Sequence, residues 1–130
     1  MTPRLLLFAL LFAGFAFGQN RVYELRTYTC NPGKMEALEI RFRQHAIAIL
    51  KRHHIEAIGY WVPQDPELAK TTLIWIAVHP SRAAAEKNWA AFQADPEWQK
   101  AVAESEANGK IFSKPPESVF MDPTDFSKLK

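Results

Sequence analysis

The chain has 130 residues, enough for one domain, and a net charge of +2; that near-neutral balance excludes a protein that binds nucleic acid through a broad basic surface. Nine Phe, four Trp and three Tyr supply apolar area for both a core and an interface. A single cysteine, Cys30, excludes an internal disulfide and a thiolate zinc site.

In chain order, Arg4 followed by the apolar run Leu5–Phe17 and the small-x-small triplet Ala16-Phe17-Gly18 reads as a signal peptide over residues 1–18. The run is too short to span a bilayer comfortably. The mature chain is expected to begin at Gln19 or Asn20, leaving about 110 residues. Loss of Arg4, the one charged side chain in that piece, lowers the net charge from +2 to +1. The expectation is an exported protein, periplasmic or secreted, with a domain over residues 19–122, a tail over 123–130 and no membrane attachment after cleavage.

Arg21–Cys30 reads as a first strand, with Tyr23 and Leu25 on one face and Glu24, Arg26 and Tyr28 on the other. Asn31-Pro32-Gly33 ends it with turn chemistry. Lys34–His53 is predicted as a long helix whose core stripe is Met35, Leu38, Phe42, Ala46 and Ile49. His45 lies at one edge of that stripe, and Lys34, Arg41 and Arg52 flank the same edge. Ile55–Val62 is a second strand, in which Gly59 signals a bulge or a close backbone approach. Pro63–Glu67 is a loop into a third strand, Thr71–Val78, and the short connection favours a hairpin. Ser81 opens a helix with Ala85, Trp89 and Phe92 on one face. Asp95-Pro96-Glu97 opens another, with Trp98, Ala101, Val102 and Ser105 buried, and Asn108-Gly109 stops it. Glu117–Met121 is a short last strand, and Phe126–Lys130 shows no evident structure.

The third strand organises the rest. Leu73, Trp75 and Ala77 point one way and Ile74, Ile76 and Val78 the other, so both faces of its sheet need cover. The chain's own helices can cover one face. A second copy is expected on the other, giving a homodimer with two sheets face to face. The order of elements is the split β-α-β, ferredoxin-like arrangement, an α+β fold with an antiparallel sheet.

Familiar catalytic signatures do not occur: there is no phosphate-cradling glycine loop and no Gly-x-Ser-x-Gly elbow. His45, His53, His54 and His79 do not form a His-Glu-x-x-His pattern, so no metal site and no cofactor are assigned. Cys30 reads as a plain buried thiol, with a bridge between two copies as the alternative.

Tyr23-Glu24-Leu25-Arg26-Thr27-Tyr28 followed by Pro32-Gly33-Lys34 resembles the opening of NIPSNAP domains. So do Gly59-Tyr60-Trp61, then His79-Pro80-Ser81-Arg82, then Trp89-x-x-Phe92-x-x-Asp95-Pro96-Glu97-Trp98. Each fragment alone is weak; their order and spacing, from Arg21 to the Glu117–Met121 strand, are specific. The resemblance implies a dimeric α/β-barrel. It brings no agreed catalytic motif, so no residue role is transferred. Better-known NIPSNAP proteins are associated with mitochondria and vesicle traffic, and an export signal departs from that. Other dimeric α/β-barrel families include haem-degrading monooxygenases, cofactor-free quinol oxygenases and small isomerases, an analogy at the level of fold only.

A pocket is expected between the sheet and the long helix. His45 is a candidate acid, base or iron ligand there, against the plainer role of a core-edge imidazole. Arg26, which shares a strand face with Glu24 and Tyr28, is a candidate anion clamp, against an ion pair across a dimer seam. Tyr23, Tyr28, Tyr60, Trp61 and Trp75 are pocket candidates, though aromatics at strand spacing are more often simple core. Trp89, Phe92 and Trp98 are assigned to helix packing, His79 to a turn, and His53 and His54 to the helix end. Three functions follow: a homodimeric module binding a small molecule or a protein, a cofactor-independent oxygenase or isomerase using His45 and Arg26, and a haem-binding protein using His45.

Overall fold

The computed structural model describes residues 21–130. The expected signal peptide and cleavage site therefore lie outside the described residues.

Four strands form one antiparallel sheet: β1 (Val22–Thr29), β2 (Glu56–Trp61), β3 (Thr72–His79) and β4 (Glu117–Met121), in the order β2-β3-β1-β4. Both crossovers run over the same face, which gives the ferredoxin-like α+β fold read from the sequence. The first crossover is one long helix in three parts, α1 (Met35–Arg41), a π-helical turn (Phe42–Ala46) and α2 (Ile47–Arg52). The second is a pair, α4 (Arg82–Ala94) and α5 (Pro96–Ser105). A short helix, α3 (Pro66–Ala69), lies in the β2–β3 connection, where the sequence signals only a loop. Asp65 accounts for it, since its carboxylate accepts from the Glu67 and Leu68 amides and Pro66 sets the first turn.

The predicted caps form. Ser81 Oγ accepts from the Ala84 amide at 3.0 Å, and Asp95 Oδ1 from the Glu97 amide at 2.9 Å. The irregularity at Gly59 also forms: the β2–β3 register shifts between Ala57 and Gly59. A Cβ on Gly59 would come within 2.7 Å of the Trp61 ring, so the indole lies over bare backbone.

The two faces of β3 divide as their alternation requires. Leu73, Trp75 and Ala77 lie under the helices, with Trp75 and Ala77 wholly buried. Leu38, Phe42, Ala46 and Ile49 of the long helix pack down on them. On the far face, Ile74 and Ile76 are only half-buried. Their neighbours Ile58, Trp61 and Val119 are 43%, 48% and 55% exposed. Residues after Met121 form no regular element but have a place: Asp122, Pro123 and Leu129 border a hollow on this face with Tyr23, Ile58 and Ile76. Arg21 Nε donates to the Lys130 carbonyl at 3.0 Å, which ties the end of the chain to the start of β1.

Candidate functional site

Strand alternation puts Glu24, Arg26 and Tyr28 of β1 on the helix side of the sheet. There Glu24 pairs across β3 with Ala77 and across β4 with Phe120, and Arg26 pairs with Trp75 and Ser118. Alanine opposite Glu24 leaves room for other donors to reach the carboxylate. Four do. His79 Nε2–H donates to Oε1 at 2.9 Å and Trp89 Nε1–H at 2.7 Å, while Arg26 Nη1–H donates to Oε2 at 2.7 Å and Ser118 Oγ–H at 2.6 Å. Glu24 is 1% exposed and His79 wholly buried. Burial pushes the Glu24 carboxyl up, but these four donors together outweigh it and hold its pKa at about 2. The carboxylate is a fixed anion at the centre of the fold.

Glu24 in turn aims Arg26. Its guanidinium also donates through Nε to the Tyr28 hydroxyl at 3.1 Å and lies over the Trp89 ring, 4.2 Å from the centroid. Trp89 is itself held by its bond to Glu24, so ring and guanidinium form one rigid unit. Arg26 does form a salt bridge, with Glu24 of its own strand beneath the helices, which is not the ion pair between two copies that the sequence suggested. It does not lie on the exposed face where a dimer seam would be, because residues two apart on a strand share a face.

Beyond Arg26 opens a cavity of about 230 Å³ between the sheet, the long helix and the α4–α5 pair. Its aromatic walls are Phe42 from the π-helical turn, Trp89 and Phe92 from α4, Trp98 from α5 and Phe112 from the following loop. A second arginine, Arg41, lines it and is 2% exposed. Trp98 and Phe112 flank Arg41 at 5.3 and 5.2 Å. Burial lowers its pKa below the ordinary arginine value, and Glu106, 3.8 Å away, acts in the opposite sense. Outside the cavity lining, Asp95 Oδ2 accepts from Arg52 and from His53, both at 2.6 Å, and joins the end of α2 to the α4–α5 corner. His53 thus has a partner beyond the helix end to which it was assigned.

Of the predicted site residues, Arg26 and Tyr28 line this cavity. Trp75 lies beneath it as a wholly buried floor, stacked on Tyr60 at 5.5 Å. Tyr60 borders a separate shallow hollow with Phe42 and Ile47, and burial pushes its pKa up to about 12. Tyr23 and Trp61 are on the opposite face of the sheet and do not line this cavity, although Trp61, at the sheet edge, borders the same hollow as Tyr60. His45 does not line the cavity. The π-helical turn is one residue wider than an α-helical turn, and it brings Ala46 to the centre of the buried stripe and swings His45 to the flank. His79, assigned to a turn, is instead the buried partner of Glu24. Sequence reasoning misses several cavity residues: spacing gives Trp89, Phe92 and Trp98 to packing and Arg41 to the helix flank, and nothing in it singles out Phe112. The spacing that places His45 on the Leu38 stripe places Arg41 there too, and that was the available signal.

No helix among the described residues is long and apolar enough to cross a membrane. Cys30 is free and buried, and burial raises its thiol pKa.

The NIPSNAP family model matches residues 23–128. No curated protein matches the chain. Among solved structures, the chain is similar to a NIPSNAP family protein of unknown function from Agrobacterium tumefaciens, at 25% identity and a TM-score of 0.71 over 85% of this chain and 95% of that one. It is similar to a NIPSNAP-like domain protein from Burkholderia xenovorans at 19% identity and 0.71, over 83% and 89%. It also shares its fold with a Streptomyces coelicolor monooxygenase solved with nanaomycin D, at 18% identity and 0.58, over 85% and 94%.

Proposed function

This chain belongs to the NIPSNAP family, and from that premise we propose that it is an exported, homodimeric protein that encloses a small organic molecule in the cavity between its sheet and its helices. The observation that carries the reading is the cavity itself: about 230 Å³, aromatic on most sides, and lined by two arginines, Arg41 buried and Arg26 largely so. A few fixed polar groups in an apolar concavity are what orient a small ligand. Its position between the sheet and the helical layer favours a small molecule over a protein partner. The homodimer is supported by the exposed apolar row Ile58, Trp61 and Val119 beside Ile74 and Ile76, since a wet sheet face normally carries polar side chains. Export is supported by Arg4 and the Leu5–Phe17 run.

Catalysis is not part of the proposal. The oxygenase and haem readings both drew on His45, which lies away from the cavity. The likeness to a monooxygenase concerns the fold alone and brings no residue with it.

A thermal-shift screen of small organic compounds against the mature chain tests the reading. Compounds that fit should raise the melting temperature, because a ligand that binds only the folded chain stabilises it by mass action. Ala46→Phe, which fills the cavity from the π-helical turn, should abolish those shifts. The added ring is expected to cost about 1–3 kcal/mol, and the variant should still melt cooperatively. If no compound moves the melting temperature at millimolar concentration, or if Ala46→Phe responds like the parent, the cavity is not the binding site.

A further inference from the structure

Resting on the reading that the cavity takes a small molecule, we infer that its ligand is an aromatic carboxylate of one or two rings, the carboxylate seated between Arg26 and Arg41. An arginine has five N–H donors and no acceptor. Arg26 spends Nε on Tyr28 and one Nη1 proton on Glu24, and its Nη2 has no acceptor among the described residues. Arg41 donates through Nη1 to Ser105 Oγ at 3.2 Å, while its Nε is buried without a partner. Nη2 of Arg41 likewise has no acceptor among the described residues, so each guanidinium keeps donors that a ligand can reach, and a carboxylate matches the guanidinium fork best.

The acids already present do not meet the need. Glu24 is saturated by four donors and lies behind Arg26. Glu106 has Oε1 occupied by the Ile111 amide at 3.3 Å and stands 3.8 Å from Arg41. The rings against the two guanidinium groups, Trp89 on Arg26 and Trp98 with Phe112 on Arg41, also line the cavity, and such walls suit an aromatic ligand. Size sets the ring count. Pockets for drug-sized ligands run from about 300 to 1,000 Å³, and this one, at about 230 Å³, takes less.

The test is a tryptophan-fluorescence titration of the mature chain with 1-naphthoate and with 1-naphthamide, which keeps the rings and removes the charge. The acid should bind at least about tenfold more tightly. Arg41→Gln should bring the acid down to the amide and leave the amide unchanged. Should that variant fail to fold, the acid–amide comparison on the unaltered chain decides alone. Equal affinity for acid and amide overturns the carboxylate and leaves the small-molecule reading standing. Equal binding of inorganic phosphate and naphthoate overturns the aromatic part. Binding of neither naphthalene compound overturns this ligand class, and the compound screen then judges the cavity separately.

Discussion

Replacing Glu24 with alanine is expected to cost about 3–5 kcal/mol of folding stability, measured by urea denaturation. The loss has a definite source. Four donors converge on this carboxylate: His79, Trp89, Arg26 and Ser118. Alanine leaves the Arg26 cation beside no counter-charge, in a site where Arg26 itself is largely buried. Against a typical stability of about 5–15 kcal/mol, that loss is large. The same network predicts a pH dependence. The Glu24 pKa is about 2 in the folded chain against an ordinary 4.5, a difference that corresponds to about 3 kcal/mol. Because the folded value is the lower one, the stabilisation is complete above about pH 5 and is lost as the pH falls through 4.5 toward 2. Glu24→Gln, which keeps the shape and cannot ionise, should show a flatter stability curve in that window. An alanine variant within about 1 kcal/mol of the parent would contradict the role given to Glu24.

The second large effect belongs to the other side of the sheet. Ile76→Lys is expected to turn the proposed dimer into a monomer that remains folded. Ile76 lies on the inner strand β3, between Leu25 of β1 and Gly59 of β2, and points away from the helices. In a single copy, a lysine there reaches water. In two sheets packed face to face, each dimer would bury two ammonium groups at several kcal/mol apiece. A combined cost of at least about 4 kcal/mol raises the dissociation constant about a thousandfold. Sedimentation equilibrium reads the mass and circular dichroism reads the fold. A parent chain that sediments as a monomer at micromolar concentration would contradict the dimer outright, as would an Ile76→Lys variant that stays dimeric.

The parts of this fold that were legible in the sequence are those set by short-range period. Leu73, Trp75 and Ala77 alternate with Ile74, Ile76 and Val78, and the structure buries the first set under helices and leaves two of the second half-covered. Ser81 and Asp95 announce their helices because a side-chain oxygen must meet amides that lack partners. The π-helical turn was not legible, since five residues in a wide turn are selected by packing and not by local preference. That one turn separates His45 from the cavity it was expected to serve.

The site was half legible. Alternation placed Glu24, Arg26 and Tyr28 on one face, but it does not say which face the helices will cover. Nor does it say that a histidine 55 residues away will close on Glu24. The cavity walls were hidden for a different reason. Trp89, Phe92 and Trp98 pack against neighbours by the same spacing whether the elements above them meet or leave a gap. Arg41 was misplaced because a charge on a helix is ordinarily solvated, and here two rings and Ser105 make burial tolerable.

The most direct measurement is a crystal structure of the mature chain purified from its natural source without denaturant. The account predicts non-protein density against Trp89, within hydrogen-bond distance of both Arg26 and Arg41. A cavity closed by its own side chains, or one holding water alone, would contradict it.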